Sequence, residues 1–443
     1  MHTATIVALA TPEGMGGLAV VRLSGPDAVA LAGRVFRSAR FAAGAASHTA
    51  VYGTLHRPGD AAAVIDRCLA LTLRAPHSYT GEDTVEFQLH GGRAVARLAV
   101  AACREAGAAP AAPGEFTRRA FLNGRLSLDQ AEAVADLIAA ESEQAARGAL
   151  NQLCGGLARE LAAVEAPLLD LLARLEGSFE FVDDDEAGAE PAGVGAELRA
   201  AVAGLERLLA LAPAGRLLRD GVQVVLAGPV NAGKSALFNA LVGEDRAIVD
   251  DEAGTTRDVV SARVVRAGAV CVLHDTAGLR EDAGRVEGKG MARTRRAVDE
   301  ADIVLAVSST APFTVAAPRA AVIAVRTKAD LGRDGTQGFD VVTSSVTGEG
   351  VAALWSSIDA AVQARGLGDA VALGVMLNER HAARLASCRG DLLALAADAD
   401  GGAPAEVTAT MLASILGALG EVSGRVFTEH LLDTVFKRFC VGK

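Results

Sequence analysis

Gly228-Pro229-Val230-Asn231-Ala232-Gly233-Lys234-Ser235 places four residues between two glycines and follows the second with lysine and serine. This spacing suits phosphate binding. Glycine lets successive backbone amides turn inward around phosphate oxygens. A helix that starts at the lysine adds the positive end of its dipole. Lys234 can then reach the β- and γ-phosphates, and the Ser235 hydroxyl can ligate Mg²⁺. The stretch from Asn231 to Ala236 is the expected phosphate contact.

Three further stretches agree in order. Asp275-Thr276-Ala277-Gly278 offers a carboxylate to a Mg²⁺-bound water and an amide to the γ-phosphate. Upstream, Gly254-Thr255-Thr256-Arg257-Asp258 offers a threonine hydroxyl, that of Thr256, to Mg²⁺. Downstream, Thr327-Lys328-Ala329-Asp330 supplies a carboxylate that can accept both N1–H and N2–H of guanine, which adenine lacks. Ser344-Ser345-Val346 can back the base. The order points to a GTPase rather than an ATPase. Two departures are visible. The guanine motif usually opens with asparagine; Thr327 keeps a hydroxyl but no amide, so selectivity is expected to rest on Asp330, with weaker affinity. Leu279 follows Gly278 where Ras-like enzymes carry the water-orienting glutamine, so another group must position the water.

The elements that must hold these residues follow from periodicity. Val222–Ala227, Val270–His274, Ile303–Val307 and Val322–Arg326 are short apolar strands separated by helix-sized segments, the pattern of a doubly wound parallel sheet. Before them, Ala19–Leu23, Leu69–Leu73 and the alternating Thr84–Leu89 read as strands, with helices over Ala28–Phe36 and Ala94–Ala106, an α+β unit. Ser127-Leu128-Asp129-Gln130 is a capping box opening a helical stretch. Gly155-Gly156 breaks that stretch, a second helix over Leu157–Leu175 ends near Gly177, and another covers Leu198–Leu211. The acidic run Asp183–Glu186 reads as a solvated loop. Pro213-Ala214-Gly215 looks like a boundary, and the chain is helical again from Asn378.

The chain resembles the MnmE (TrmE) family of tRNA-modification GTPases over nearly its whole length. Beyond the nucleotide motifs, the carriers are Thr5-Ile6-Val7-Ala8 with Ala10-Thr11-Pro12-Glu13-Gly14, Tyr79-Thr80-Gly81-Glu82-Asp83 and His90-Gly91-Gly92. They continue with Pro113-Gly114-Glu115-Phe116-Thr117-Arg118-Arg119-Ala120-Phe121-Leu122-Asn123-Gly124 and Phe439-Cys440-Val441-Gly442-Lys443. The resemblance implies a multidomain fold. An α+β folate-binding-like N-terminal dimerisation domain spans 1–119, and an all-α helical domain is built from 120–214 and 368–443. An α/β P-loop GTPase domain, 215–367, is inserted into the helical domain.

The same resemblance implies K⁺-stimulated GTP hydrolysis. Asn231, Asp250, Glu252 and Thr255 would surround K⁺, which does the charge-neutralising work of an arginine finger. Asp250 and Thr255 would also line the nucleotide, and Glu287 matches the family glutamate that orients the attacking water. Arg22, Glu82 and Lys443 match contacts to 5-formyl- or methylene-tetrahydrofolate; Arg125 stands where the family has lysine, a planar fork in place of a point charge. Cys440 would lie in the modification centre, its alternative being apolar packing. Implied partners are a second copy of the chain, an FAD-binding protein of the MnmG (GidA) type in a heterotetramer or larger complex, and tRNA, whose wobble uridine is modified at C5. An alternative is a ribosome-assembly GTPase acting as an RNA-binding switch, which would normally carry an RNA-binding module after the nucleotide domain.

Composition bounds these readings. The 443 residues suit roughly three domains. The net charge of −11 excludes a general electrostatic coat for nucleic acid, so tRNA recognition is expected to be local, near Arg118, Arg119 and Arg125. Apolar residues at 51% exclude intrinsic disorder. The six cysteines are scattered without a Cys-x-x-Cys pair, which fits a reducing cytosol and no zinc site. No signal peptide, membrane span or membrane partner is expected, and the location is expected to be cytoplasmic.

Overall fold

The computed structural model describes residues 4–42, 46–180, 193–244, 260–276, 287–332 and 336–443, without the side chains of 42, 179–180, 244, 260 and 287–293. They form two compact units, 1–135 with 420–443, and 136–419.

The first unit is built on a seven-stranded sheet: β1 (Ile6–Leu9), β2 (Leu18–Ser24), β3 (Phe36–Arg37), β4 (Thr49–Arg57), β5 (Asp60–Leu73), β6 (Thr84–His90) and β7 (Ala109–Pro110). The spatial order is β3-β4-β5-β6-β2-β1-β7, antiparallel except for β1 beside β7. Alternation sorts the two faces. Val21, Leu23, Val85, Phe87 and Ala70 join one core with Leu31 and Val35 of α1 (Ala28–Val35), Phe41 of α2 (Ala39–Ala42) and Ala99 and Cys103 of α3 (Arg93–Glu105). Arg22 and Glu86, cross-strand neighbours, lie on the opposite face. α4 (Glu115–Leu122), the start of α5 (Leu128–Ala139) and α16 (Glu429–Phe436) meet through Phe121, Leu128, Leu432 and Phe436. The last residues return to this unit: the Gly114 amide donates to the Cys440 carbonyl (3.3 Å), the Phe116 amide donates to the Lys443 carbonyl (3.1 Å), and Val441 bridges to Pro113.

The second unit carries a six-stranded sheet: β8 (Val222–Ala227), β9 (Val260–Arg266), β10 (Ala269–Asp275), β11 (Ile303–Ser308), β12 (Ala321–Arg326) and β13 (Val341–Val342). The order β13-β12-β11-β8-β10-β9 has the chain turn from one side of β8 to the other, a topological switch point. Five strands are parallel, and the edge strand β9 is antiparallel to β10. Against the sheet pack α6 (Glu143–Leu153), α9 (Ala212–Asp220), α10 (Lys234–Glu244), α11 (Glu287–Glu300), α12 (Val351–Gln363) and α13 (Leu367–Leu373), while α7 (Gly156–Glu180), α8 (Val194–Leu209), α14 (Glu379–Asp400) and α15 (Ala405–Ser423) complete the helical part. α8 packs along α14.

Four local expectations need correction or refinement. Pro213-Ala214-Gly215 is not an irregular break: it lies in α9, with proline in the first turn, where its missing N–H costs nothing. Leu217 and Leu218 of that helix join the same core as Val224 and Leu226 of β8. Gly177 does not end α7, which runs on to Glu180. The sheet is not wholly parallel, because β9 forms a hairpin with β10. At Ser127, Gln130 does reach back to the Ser127 amide (2.9 Å), but the serine hydroxyl donates to Asp129 (2.5 Å). The acidic run at 183–186 lies outside the described residues. By length and composition alone, at mean hydropathy 1.3, α15 is apolar enough to cross a membrane. Its Leu412, Ile415, Leu419 and Val422 are buried, the spacing of a core helix.

Candidate functional site

β8 ends at Ala227 and the chain turns through the glycine-rich loop into α10. Two positions show why the loop has this sequence. A Cβ on Gly228 would lie 2.0 Å from the Val307 carbonyl oxygen of β11, so no side chain fits there. Asn231 and Gly233 both take positive φ, 62° and 89°, which turns the intervening amides inward. Lys234 is buried, and its Nζ donates to the carbonyls of Gly228 (3.1 Å) and Pro229 (2.9 Å). Ser235 and Ala236 are exposed at the start of α10.

The neighbouring strands close the site. Asp275 and Thr276 end β10, both buried, and the Thr276 hydroxyl donates to the Leu226 carbonyl (2.7 Å). That bond fixes the end of β10 against the strand that launches the loop. Beyond β12, the Thr327 hydroxyl donates to the Ala232 carbonyl (2.5 Å), and Lys328 Nζ donates to the Asn231 carbonyl (2.7 Å). Two consecutive residues of the guanine motif therefore hold two consecutive carbonyls of the phosphate loop. Asp330 is exposed, and Ser344 donates its hydroxyl to Asp330 Oδ1 (2.6 Å) while accepting from the amides of Val346 and Thr347 (both 3.3 Å). Asp330 is thus oriented from behind, with Ser345 beside it half-buried.

Asp250, Glu252, Thr255, Thr256, Ala277 and Gly278 lie outside the described residues. Glu287 is the first residue of α11, and its side chain is likewise outside them. The described part brings together Asn231 to Ala236, Asp275, Thr276, Thr327, Lys328, Asp330, Ser344 and Ser345.

A second constellation belongs to the first unit. Arg22 Nε donates to Glu86 Oε1 (2.7 Å), and its guanidinium lies over the rings of Tyr79 (5.6 Å) and Phe116 (5.5 Å). Lys443 lies close enough for its ammonium to be pushed below the usual lysine range, chiefly by burial and then by the Arg22 charge. Glu82 stands on the same side: Ser24, two residues after Arg22 on β2, donates to Glu82 Oε2 (2.8 Å), and Arg119 pairs with that carboxylate (3.1 Å). Arg125 borders an open cleft of about 460 Å³ with His48, Leu73, His77, Ser78 and Tyr79. Tyr79 therefore joins Arg22 to the Arg125 cleft. Burial raises the Tyr79 phenol's pKa, while its hydrogen bond to Thr117 (2.9 Å) opposes this. Cys440 is exposed in the terminal segment.

The basic group expected to meet tRNA does not hold as a group. Arg119 is 1% exposed and bonded to Glu82, Glu115 and the Ala4 carbonyl. Arg118 is paired with Glu429 and Asp433. Arg125 alone of the three is exposed. Sequence reasoning missed Glu86 and Ser24 as partners of Arg22 and Glu82. The alternation of β6 was the available signal for Glu86, since it sets that side chain on one face.

Comparison with known proteins fits this geometry. Residues 5–125 match the model of the GTP-binding protein TrmE N-terminus, and residues 128–440 match that of the MnmE helical domain. The tRNA modification GTPase MnmE of Myxococcus xanthus is 45% identical, with 99% of each chain covered. That of Symbiobacterium thermophilum is 41% identical, with both chains fully covered. The chain belongs to the MnmE family of tRNA modification GTPases. Within this family it is a GTP hydrolase.

Proposed function

We propose that this GTPase, as a homodimer working with an FAD-dependent partner, installs an aminomethyl- or carboxymethylaminomethyl-type group at C5 of the wobble uridine of certain tRNAs. The observation that carries the reading is Arg22 lying over the Tyr79 ring within electrostatic reach of the terminal Lys443, with Glu82, in the loop before β6, bonded to Ser24 two residues along β2 from Arg22. Two cations suit the anionic tail of a folate, and a carboxylate suits the donors of its pterin. The fit is supported by the open cleft at Arg125, which has room for a flat ring system beside the tyrosine. Tetrahydrofolate would supply the one-carbon unit. The chain's own part is to bind and orient: Arg22, Lys443 and Arg125 attract the acid groups, and Glu82, held by Ser24 and Arg119, keeps a fixed direction.

In the second unit, Ser235 and Thr256 would hold Mg²⁺, and Asn231, Asp250, Glu252 and Thr255 would hold K⁺. The cradle of inward-turned backbone around Asn231 and Gly233 fits bound phosphate. The cations would neutralise charge developing on the transferred phosphoryl group. Glu287 would orient water, and hydrolysis would drive the domain motion that gates the tRNA chemistry. Helices on both sides of the sheet in sequence, α8 and α14, pack together, which supports insertion of the GTPase domain into a helical one. The deciding experiment is nucleoside mass spectrometry of tRNA from a deletion strain. Loss of C5-modified wobble uridine, restored by the gene, is expected; unchanged modification would sink the proposal.

A further inference from the structure

β9 and β10 form a hairpin whose closed end lies away from the nucleotide and whose open end carries Asp275. The turn is Ala267-Gly268, with φ of 49° and 81°. Positive φ at both central residues is the primed turn that matches strand twist, but an alanine resists it. The turn is held from outside. Gln144, in the first turn of α6, donates its backbone amide to the Gly268 carbonyl and its Nε2 to the Ala267 carbonyl, both at 3.3 Å. Gln363 at the end of α12 donates to the same Ala267 carbonyl (3.1 Å).

The fit is close along the whole Gln144 side chain. A Cβ on Gly268 would lie 2.7 Å from Gln144 Nε2, 2.8 Å from Cδ and 2.9 Å from Cγ. Ion pairs flank the grip: Arg263 with Glu141 (2.8 Å) and Arg266 with Asp359 (3.3 Å), the latter arginine also lying over Trp355. Gln144 Oε1 is buried without a partner among the described residues, a cost that the bonds to the turn offset.

We infer that Gln144 is a positioning residue for GTP turnover: by gripping the β9–β10 turn it sets the axial position of the strand that ends in Asp275, and it couples that position to α6. A seven-residue strand spans about 23 Å. It cannot absorb a push at one end by slipping, because a one-residue slip turns every side chain to the wrong face. β10 is moreover in register with β8 on its other side, Asp275 opposite Leu226. A shift at the turn therefore reaches the carboxylate, while the phosphate loop stays tied by Thr327 and Lys328.

The test uses the full-length protein. Gln144→Met keeps length and packing but removes the side-chain donor. Expected is a fall in kcat for GTP of about tenfold, about 1.4 kcal/mol, with KM within twofold. In hydrogen exchange, α6 amides of the wild type should respond to replacing GDP by a non-hydrolysable GTP analogue, and those of Gln144→Met should not. Gln363→Met, which frees the turn only from α12, should keep the α6 response. Wild-type kcat in Gln144→Met, or an undiminished α6 response, would overturn the inference. So would a fall in kcat matched by a rise in KM and a lower melting temperature, which would mark Gln144 as fold support alone.

Discussion

Thr327→Val removes one hydroxyl and keeps the shape of a side chain that is 2% exposed. The hydroxyl's partner, the Ala232 carbonyl, belongs to a residue equally buried, so water has little access to replace the lost bond. Leaving a buried acceptor unsatisfied costs about 1–3 kcal/mol. Part of that cost can be escaped in the empty protein if the phosphate loop relaxes away from the guanine motif. Nucleotide binding demands that the loop return, so the escaped part reappears in the affinity. The Lys328 bond to the Asn231 carbonyl survives and limits the relaxation, which places the effect toward the lower end. The expected result is GDP and GTP binding about tenfold weaker, since about 1.4 kcal/mol corresponds to one decade. Titration with a fluorescent guanine nucleotide reads this directly. Preference for GTP over ITP should be unchanged, because Asp330 and its Ser344 support are untouched. Thr327→Ser, which restores the donor, should recover most of the affinity. If Thr327→Val binds as tightly as wild type, or if serine fails to rescue, the hydroxyl is not the tie between the two motifs.

Glu287→Ala should keep GTP affinity within a few-fold and lose about 10²-fold or more in single-turnover hydrolysis; an unchanged rate would remove Glu287 from catalysis. Replacing K⁺ by Na⁺ at constant ionic strength should lower phosphate release sharply, and equal rates in both salts would discard the cation reading. Lys443 has a lowered pKa, so its charge, and with it the hold on a folate tail, is present at low pH and lost as pH rises through a value below that of an ordinary lysine. Arg22→Met removes a repelling charge and leaves Glu86 unpaired, so the Lys443 titration should move upward in NMR of its labelled Cε; no movement would mean that the two cations do not share a site.

Local chemistry was legible and long-range packing was not. The glycine loop, the core strands and the guanine motif each follow from a short pattern whose partners lie in the same strand or turn. Val222–Ala227 was read to the residue for that reason. β9 escaped notice because its exposed edge carries Arg263 and Arg266, polar positions that blur a short apolar run. Pro213 and Gly215 do not read as helical in the sequence because proline breaks a helix interior but not its first turn, and only the burial of Leu217 and Leu218 in the sheet's core shows what α9 packs against.

The arginines make the sharper case. Arg118 and Arg119 are adjacent in sequence and identical in type, yet one reaches outward-facing acids of α16 and the other is sealed among Glu82, Glu115 and the Ala4 carbonyl. Successive helical residues point about 100° apart, so neighbours need not share an environment, and composition cannot tell them apart. What separates them is the origin of their partners. Glu82 lies in the loop before β6 and Ser24 at the end of β2, and the antiparallel register that sets Ser24 opposite Thr84 lets the Ser24 hydroxyl hold the Glu82 carboxylate while the Ser24 carbonyl and that carboxylate both accept from the buried guanidinium. A positive charge that the sequence offers to solvent is thus consumed in fixing Glu82. The loss does not strip the unit of basic surface: it carries 17 Lys and Arg against 14 Asp and Glu, with Arg93, Arg97 and Arg125 among the exposed cations, so the −11 of the whole chain is set by the second unit and says nothing against a local anion-binding face here.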